Sequence, residues 1–198
     1  LSTMVGGGAV VSLADRRFSV DQLFATIEAR RATNVVIVGQ AFAGPMLEFL
    51  DANPETYDLS SIKVISSSGV MWSSEVKRGL LKHMPQVVLL DSFGSSEGVG
   101  FGLSIMTAAG VIETAKFQIG DNVKVLTPEG REIAAGSGDV GLIARGDPLP
   151  EGYYKDRAKT ESVFRTFGGI RYSIPGDFCT VEADGTITLI GRGSGCIN

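Results

Sequence analysis

Apolar residues recur at helical spacing in Val20, Leu23, Phe24 and Ile27, which predicts an amphipathic helix. Ser19 with Gln22 has the pattern of a capping box at its start, and Arg30 and Arg31 close it favourably for the helix dipole. The period then changes. Asn34 to Gly39 (NVVIVG) is a β-branched run without alternation and reads as a buried strand. Pro45 fits the first turn of a helix reaching about Ala52, with Met46, Leu47, Phe49 and Leu50 as its apolar positions. Ile62 to Ile65 predicts a second strand, Ser66-Ser67-Ser68-Gly69 a turn, Ser74 to Met84 a helix and Val87 to Leu90 a third strand. Short apolar strands separated by helices indicate a parallel sheet covered on both faces.

After about Thr114 the pattern shifts. Phe117, Ile119, Val123 and Val125 alternate in part between Lys116 and Leu126, and Thr127 to Gly130 (TPEG) is a turn. Val140 to Ala144 predicts a strand and Tyr154 to Phe164 a short helix. Asp177 to Glu182 and Thr186 to Ile190 are joined through Ala183-Asp184-Gly185, a strong hairpin signal. The second half is therefore expected to be mostly antiparallel β, with the boundary between Leu103 and Lys116.

Composition narrows the classes. The chain has 198 residues, 43% of them hydrophobic and 20% charged, which is ordinary globular composition. Its 26 glycines are about twice the usual share and suit a loop-rich ligand-binding protein. A net charge of −4 without a basic cluster argues against nucleic acid as a partner. Cys179 and Cys196 have neither CxxC spacing nor histidine neighbours, so zinc and a redox pair are disfavoured and reduced cytoplasmic thiols are expected, with peripheral membrane attachment left open. No run reaches the roughly 20 apolar residues of a membrane span. The start at Leu1, without an initiator Met, suggests a piece of something longer.

Candidate chemistry concentrates in Asp91-Ser92-Phe93-Gly94-Ser95-Ser96-Glu97-Gly98-Val99-Gly100, which follows the third predicted strand. Open α/β sheets place ligand sites beyond strand ends. Glycines admit close backbone approach, serines offer hydroxyls, Phe93 offers a flat ring, and Glu97 offers hard oxygens to a divalent cation. A nucleotide-metal site has these parts; a plain Gly-Ser turn with a solvated glutamate has them too.

Phe93-Gly94-Ser95-Ser96-Glu97 fits aromatic-Gly-x-Thr/Ser-Glu, and so resembles the fifth core motif of the acyl-adenylate-forming superfamily. Four further stretches follow that family's order. Ser68-Gly69-Val70-Met71 stands in place of its Gly-Gly-Ala-Pro-like turn. Gly138-Asp139-Val140-Gly141, Arg145-Gly146, Gly152-Tyr153-Tyr154 and Thr160 resemble its sixth motif, where Tyr154 reads as an aromatic packed under a turn. Tyr172-Ser173-Ile174-Pro175-Gly176-Asp177 resembles the seventh, with Pro175 where Thr is common. Gly191-Arg192-Gly193-Ser194 resembles the eighth. The wording of these motifs is most similar to bacterial acyl-CoA synthetases for fatty or sterol-derived acids.

The resemblance implies an α/β fold: a Rossmann-like parallel-sheet subdomain over residues 1–112, then a mostly antiparallel β subdomain over 113–191 forming a small distorted barrel, then a hinge at 192–198 leading to a C-terminal domain. It implies ATP, Mg2+ and coenzyme A acting with a small-molecule carboxylic acid of fatty or sterol-derived type. Ser96 and Glu97 become the catalytic residues, Glu97 also the metal ligand. Ser68, Gly69, Val70, Asp91, Ser92, Phe93, Gly94, Ser95, Asp177 and Arg192 become nucleotide-binding residues. Gly39, Gln40, Gly69 and Gly94 line the acyl pocket, and Ser194 is the hinge. A phosphate loop and an adenylation lysine that the family requires have no counterpart in residues 1–198, so the chain alone is expected to have little ligase activity. His83, late in a predicted helix, reads as a partner of the helix dipole. Two other functions fit the same residues: a non-catalytic nucleotide-binding module, and an adenylation domain that loads a carrier protein. Oligomeric state is not legible.

Overall fold

The computed structural model describes residues 2–110 and 116–192. Its first part contains α1 (Ser2–Val5), α2 (Val20–Arg30), β1 (Asn34–Ile37), α3 (Gln40–Ala52), β2 (Val64–Ser68), α4 (Ser74–His83), β3 (Val88–Ser95) and β4 (Gly98–Met106). β1, β2 and β3 are parallel neighbours in that order, and β4 closes the sheet antiparallel to β3.

Local chemistry sets the helix ends. Ser19 accepts a hydrogen bond from the Gln22 amide at 3.3 Å, but the Gln22 side chain turns to Asp15 (3.2 Å), so only half of the predicted capping box forms. Ser73 caps α4 in the same way through the Val76 amide (3.2 Å). His83 sits in the last turn of α4 and reaches Asp51 at 2.7 Å. The helix expected from Pro45 begins five residues earlier, at Gln40. Gly39, at φ 53°, turns the chain straight out of β1, and its carbonyl accepts from the amides of Phe42 (3.2 Å) and Ala43 (3.1 Å). Pro45 is thus interior, and its missing N–H removes one helical hydrogen bond.

Two predicted loops are strands. Ser66 to Ser68 belong to β2 because that strand is central, with Ser66 paired between Val36 and Leu90. The backbone is satisfied from both sides, which overrides the turn preference of serine. Likewise Asp91 to Ser95 extend β3, pairing with β4 from Asp91 opposite Ser104 to Ser95 opposite Gly98, with a register shift between Phe93 and Ser95. The predicted loop is a bulged hairpin turning at Ser96 and Glu97.

Helices α2, α3 and α4 cover one face of this sheet, burying Phe24, Met46 and Leu80 against Val35, Ile65 and Leu89. Among the described residues the other face is not covered as expected. Val36 is 81% and Ile105 38% exposed there.

The second part contains β5 (Lys116–Phe117), β6 (Val123–Leu126), β7 (Gly141–Arg145), α5 (Arg157–Val163), β8 (Phe164–Phe167), β9 (Ile170–Ser173), β10 (Asp177–Val181) and β11 (Ile187–Arg192). These strands form one sheet in the order β5-β11-β10-β7-β9-β8, with β6 pairing β7. Among the described residues the expected barrel does not close. The β5 strand is two residues long, and β7 meets β9 only at Arg145 and Ser173. The predicted Asp184-Gly185 hairpin joins β10 to β11, with Asp184 accepting from the Thr186 amide at 3.0 Å. The helix predicted over 154–164 is shortened to Arg157–Val163 because Asp156 caps it, accepting from the Lys159 amide at 2.9 Å.

Cys179 is fully buried in this second core with Phe101, Ile143 and Ile187. Burial, reinforced by the Asp177 carboxylate, pushes its thiol up to about 12. Cys196 lies outside the described residues. In a Cys196→Ser chain at about pH 8, well below that value, a thiol reagent should label nothing until the protein is denatured. Rapid native labelling would contradict the burial.

Candidate functional site

The parallel strands β2 and β3 deliver their C-terminal ends to a cavity of about 270 Å³ between the two sheets. Ser67 and Ser68 of β2 lead into Gly69, Val70 and Met71 along one wall, Asp91 to Ser95 of β3 form a second, and Phe117, Asp177 and Leu189 enter from the antiparallel sheet. The close crossing depends on Gly102 in β4, where a Cβ would stand 2.9 Å from the Phe117 Cβ. Phe93 is wedged between Phe101 and Phe117, with ring centroids 5.6 Å from each. Its plane is therefore set by packing before any ligand arrives.

Nine of the ten predicted nucleotide-binding residues line this one cavity: Ser68, Gly69, Val70, Asp91, Ser92, Phe93, Gly94, Ser95 and Asp177. The tenth, Arg192, pairs its backbone with that of Asp177 in the β10–β11 register. The buried Ser95 hydroxyl has no protein hydrogen-bond partner. A buried hydroxyl without a partner is costly, so a ligand atom in the cavity would relieve it. Ser194 lies outside the described residues.

The other predicted residues fall elsewhere. Ser96 and Glu97 occupy the hairpin turn beyond the cavity lining, where Glu97 Oε1 accepts a hydrogen bond from the Tyr153 hydroxyl. Gly39 and Gln40 are not among the lining residues. The Gly39 amide donates to Ser67 Oγ at 2.9 Å, and a Cβ on Gly39 would lie 2.3 Å from the Val70 carbonyl oxygen. Gln40 Oε1 accepts from the Ser73 amide at 3.1 Å. These contacts clamp the Val70–Ser73 segment from behind.

Asp91 is engaged by the protein itself. The ammonium of Lys77, a residue of α4 whose side chain is 5% exposed, pairs with one carboxylate oxygen, and the Trp72 indole N–H donates to the other. Lys77 also sits 5.3 Å over the Trp72 ring. The β3 strand, α4 and the cavity wall at Met71–Trp72 are thereby tied at one buried point. Nothing in the sequence marked Lys77 as more than a helix-surface cation, and burial is the signal that distinguishes it.

Tyr153 was legible only as half of a Gly-Tyr pair. Its neighbour Tyr154, expected to pack under the turn, is 88% exposed, while Tyr153 packs on Phe164 at 6.2 Å. Among the described residues no group of three or more His, Cys, Asp or Glu side chains could hold a metal ion. No helix among them is long and apolar enough to cross a membrane.

No protein-family model matches the chain. It is 43% identical over 183 residues to a Mycobacterium marinum medium/long-chain-fatty-acid–CoA/3-oxocholest-4-en-26-oate–CoA ligase, covering 91% of this chain and 33% of that protein. It is 41% identical over 207 residues to the 3-oxocholest-4-en-26-oate–CoA ligase of Rhodococcus rhodochrous, covering 99% of this chain and 36% of the relative. The chain spans about a third of the length of these curated relatives. Solved structures share the fold at lower identity. A long-chain-fatty-acid-CoA ligase from Archaeoglobus fulgidus aligns with TM-score 0.71 at 21% identity, over 88% of this chain and 37% of that one. An NRPS protein containing adenylation and PCP domains aligns with TM-score 0.77 at 22% identity, over 99% and 40%. With sequence identity above 40% along nearly its whole length, the chain is a relative of bacterial fatty-acid and sterol-acid CoA ligases, and it shares its fold with an NRPS adenylation protein.

Proposed function

We propose that this chain is the adenine- and ribose-facing part of an ATP-dependent acid–CoA ligase acting on fatty or sterol-derived acids. Residues 1–112 form its α/β subdomain, 113–191 its β-rich subdomain and 192–198 the hinge. In the reaction, an acid carboxylate oxygen bonds to the α-phosphorus of ATP as the bond to pyrophosphate breaks. The thiol sulfur of coenzyme A then takes the acyl carbon, and AMP leaves. The observation that carries this reading is the convergence of Ser68–Val70, Asp91–Ser95 and Asp177, three distant stretches, on one cavity with Phe93 at its wall.

Each group suits its part. Phe93 presents a packed ring to the flat base, and the Asp177 carboxylate has two acceptor oxygens for a vicinal diol. The Ser95 hydroxyl supplies an unsatisfied hydrogen-bonding group, and Ser96 meets the α-phosphate or the acyl carboxylate. Arg192 is assigned to ribose or phosphate, Ser194 to the hinge, and Gly39, Gln40, Gly69 and Gly94 to the acyl side. A lone carboxylate such as Glu97 fits Mg2+, which usually keeps one or two protein carboxylates together with substrate phosphates and water. The ion would supply charge neutralisation as negative charge meets negative charge.

The full-length polypeptide, given ATP, Mg2+ and a panel of medium-chain, long-chain and steroid side-chain acids, should show acid-dependent ATP–pyrophosphate exchange and then form acyl-CoA. Exchange without acid dependence would overturn the reading. Acyl transfer to a carrier protein but not to coenzyme A would move the chain to the carrier-loading class.

A further inference from the structure

We infer that Tyr153 is a positioning residue for Glu97, fixing through its hydroxyl the carboxylate that the proposed function assigns to Mg2+; the inference rests on that assignment. Glu97 stands at the tip of the β3–β4 hairpin, in a two-residue turn where a long side chain would ordinarily sample several rotamers. Here it reaches out of the first sheet to a phenol 56 positions further along the chain. An ionised carboxylate only accepts, so the phenol donates.

The donor is itself firmly held. The Tyr153 amide donates to Thr160 Oγ1 at 2.9 Å, and that hydroxyl donates to the Asp156 carbonyl at 2.8 Å. The ring lies against Phe164, and the Lys159 ammonium stands 4.2 Å over its centroid. A cation over the ring draws electron density from the phenol and strengthens its donation. Both sides also meet one guanidinium: Arg145 donates to the Gly100 carbonyl of the hairpin (3.4 Å) and to the Pro148 carbonyl of the segment leading to Tyr153 (2.8 Å).

A neutral donor suits this task. A carboxylate accepts at about four lone-pair sites, so a hydroxyl and a cation can share it, whereas a lysine or arginine in place of the phenol would compete with the cation by charge. Fixing one oxygen determines which lone pairs a metal meets, as groups that hold metal ligands do elsewhere.

The test uses the full-length polypeptide with Tyr153→Phe, which keeps the ring and removes the hydroxyl. Binding of Mn2+ in the presence of a non-hydrolysable ATP analogue, read by electron paramagnetic resonance, should weaken about tenfold. The Mg2+ concentration giving half-maximal adenylation should rise in parallel, with kcat at saturating metal nearly unchanged. Tyr154→Phe should leave both unchanged, and Tyr153→Phe should add nothing in a Glu97→Gln background. If Tyr153→Phe binds metal as well as the parent while Glu97→Gln does not, the inference falls and the metal assignment survives. If Glu97→Gln also binds metal normally, the assignment itself falls.

Discussion

Lys77→Met should cost about 3–5 kcal/mol of stability, the usual loss when one partner of a buried ion pair is removed. Lys77 and Asp91 have side chains only 5% and 15% exposed, so removing the ammonium leaves a largely buried carboxylate without its counter-charge. The Trp72 indole would still donate to it, so the chain should unfold earlier in urea without losing its fold. Adding Asp91→Asn should recover much of the loss, because an amide oxygen still accepts from Trp72 while the buried charge is gone. The exposed pair Arg157–Glu161, with side chains 91% and 63% exposed, gives the scale of an ordinary surface contact. Its removal should cost no more than about 0.5 kcal/mol. A loss below about 1 kcal/mol for Lys77→Met would show that the pair is solvated or unformed.

Glu97→Gln, in the full-length polypeptide, should lower the adenylation rate by about a hundredfold or more, the scale seen when one preorganised group is withdrawn from developing charge. Glutamine preserves length and can still accept from the Tyr153 hydroxyl, so the fold and melting temperature should hold. What disappears is the negative charge that would retain a cation between the hairpin tip and a polyphosphate. High Mg2+ should therefore recover part of the rate. Unchanged activity at limiting Mg2+ would remove Glu97 from the metal role.

The sequence was most informative where structure is decided locally. Ser19 as a helix cap, the β-branched run of β1 and the Asp184-Gly185 hairpin each depend on neighbours within a few residues. It misled where partners come from afar. Ser66–Ser68 and Asp91–Ser95 have the residues of turns, yet neighbouring strands pair with them, on both sides at Ser66, Ser67, Asp91 and Ser92. Pro45 marked a helix start only because the effect of Gly39, six residues earlier, could not be weighed without the turn it makes. The cavity was legible as motifs in order along the chain. The two side-chain pairs beside it, Lys77–Asp91 and Tyr153–Glu97, were not, because charge and aromatic type alone do not say which groups are buried together.

On the face of the first sheet left open among the described residues, Val36, Ser66, Leu90 and Ile105 stand side by side across four strands. Leu90 is the immediate neighbour of Asp91 along β3, and successive side chains of a strand point to opposite faces. The strand is therefore a partition one residue thick. Pressure applied on the Leu90 side, by whatever comes to rest there, would be delivered to the Lys77–Asp91 anchor and the cavity wall without passing through any intervening layer.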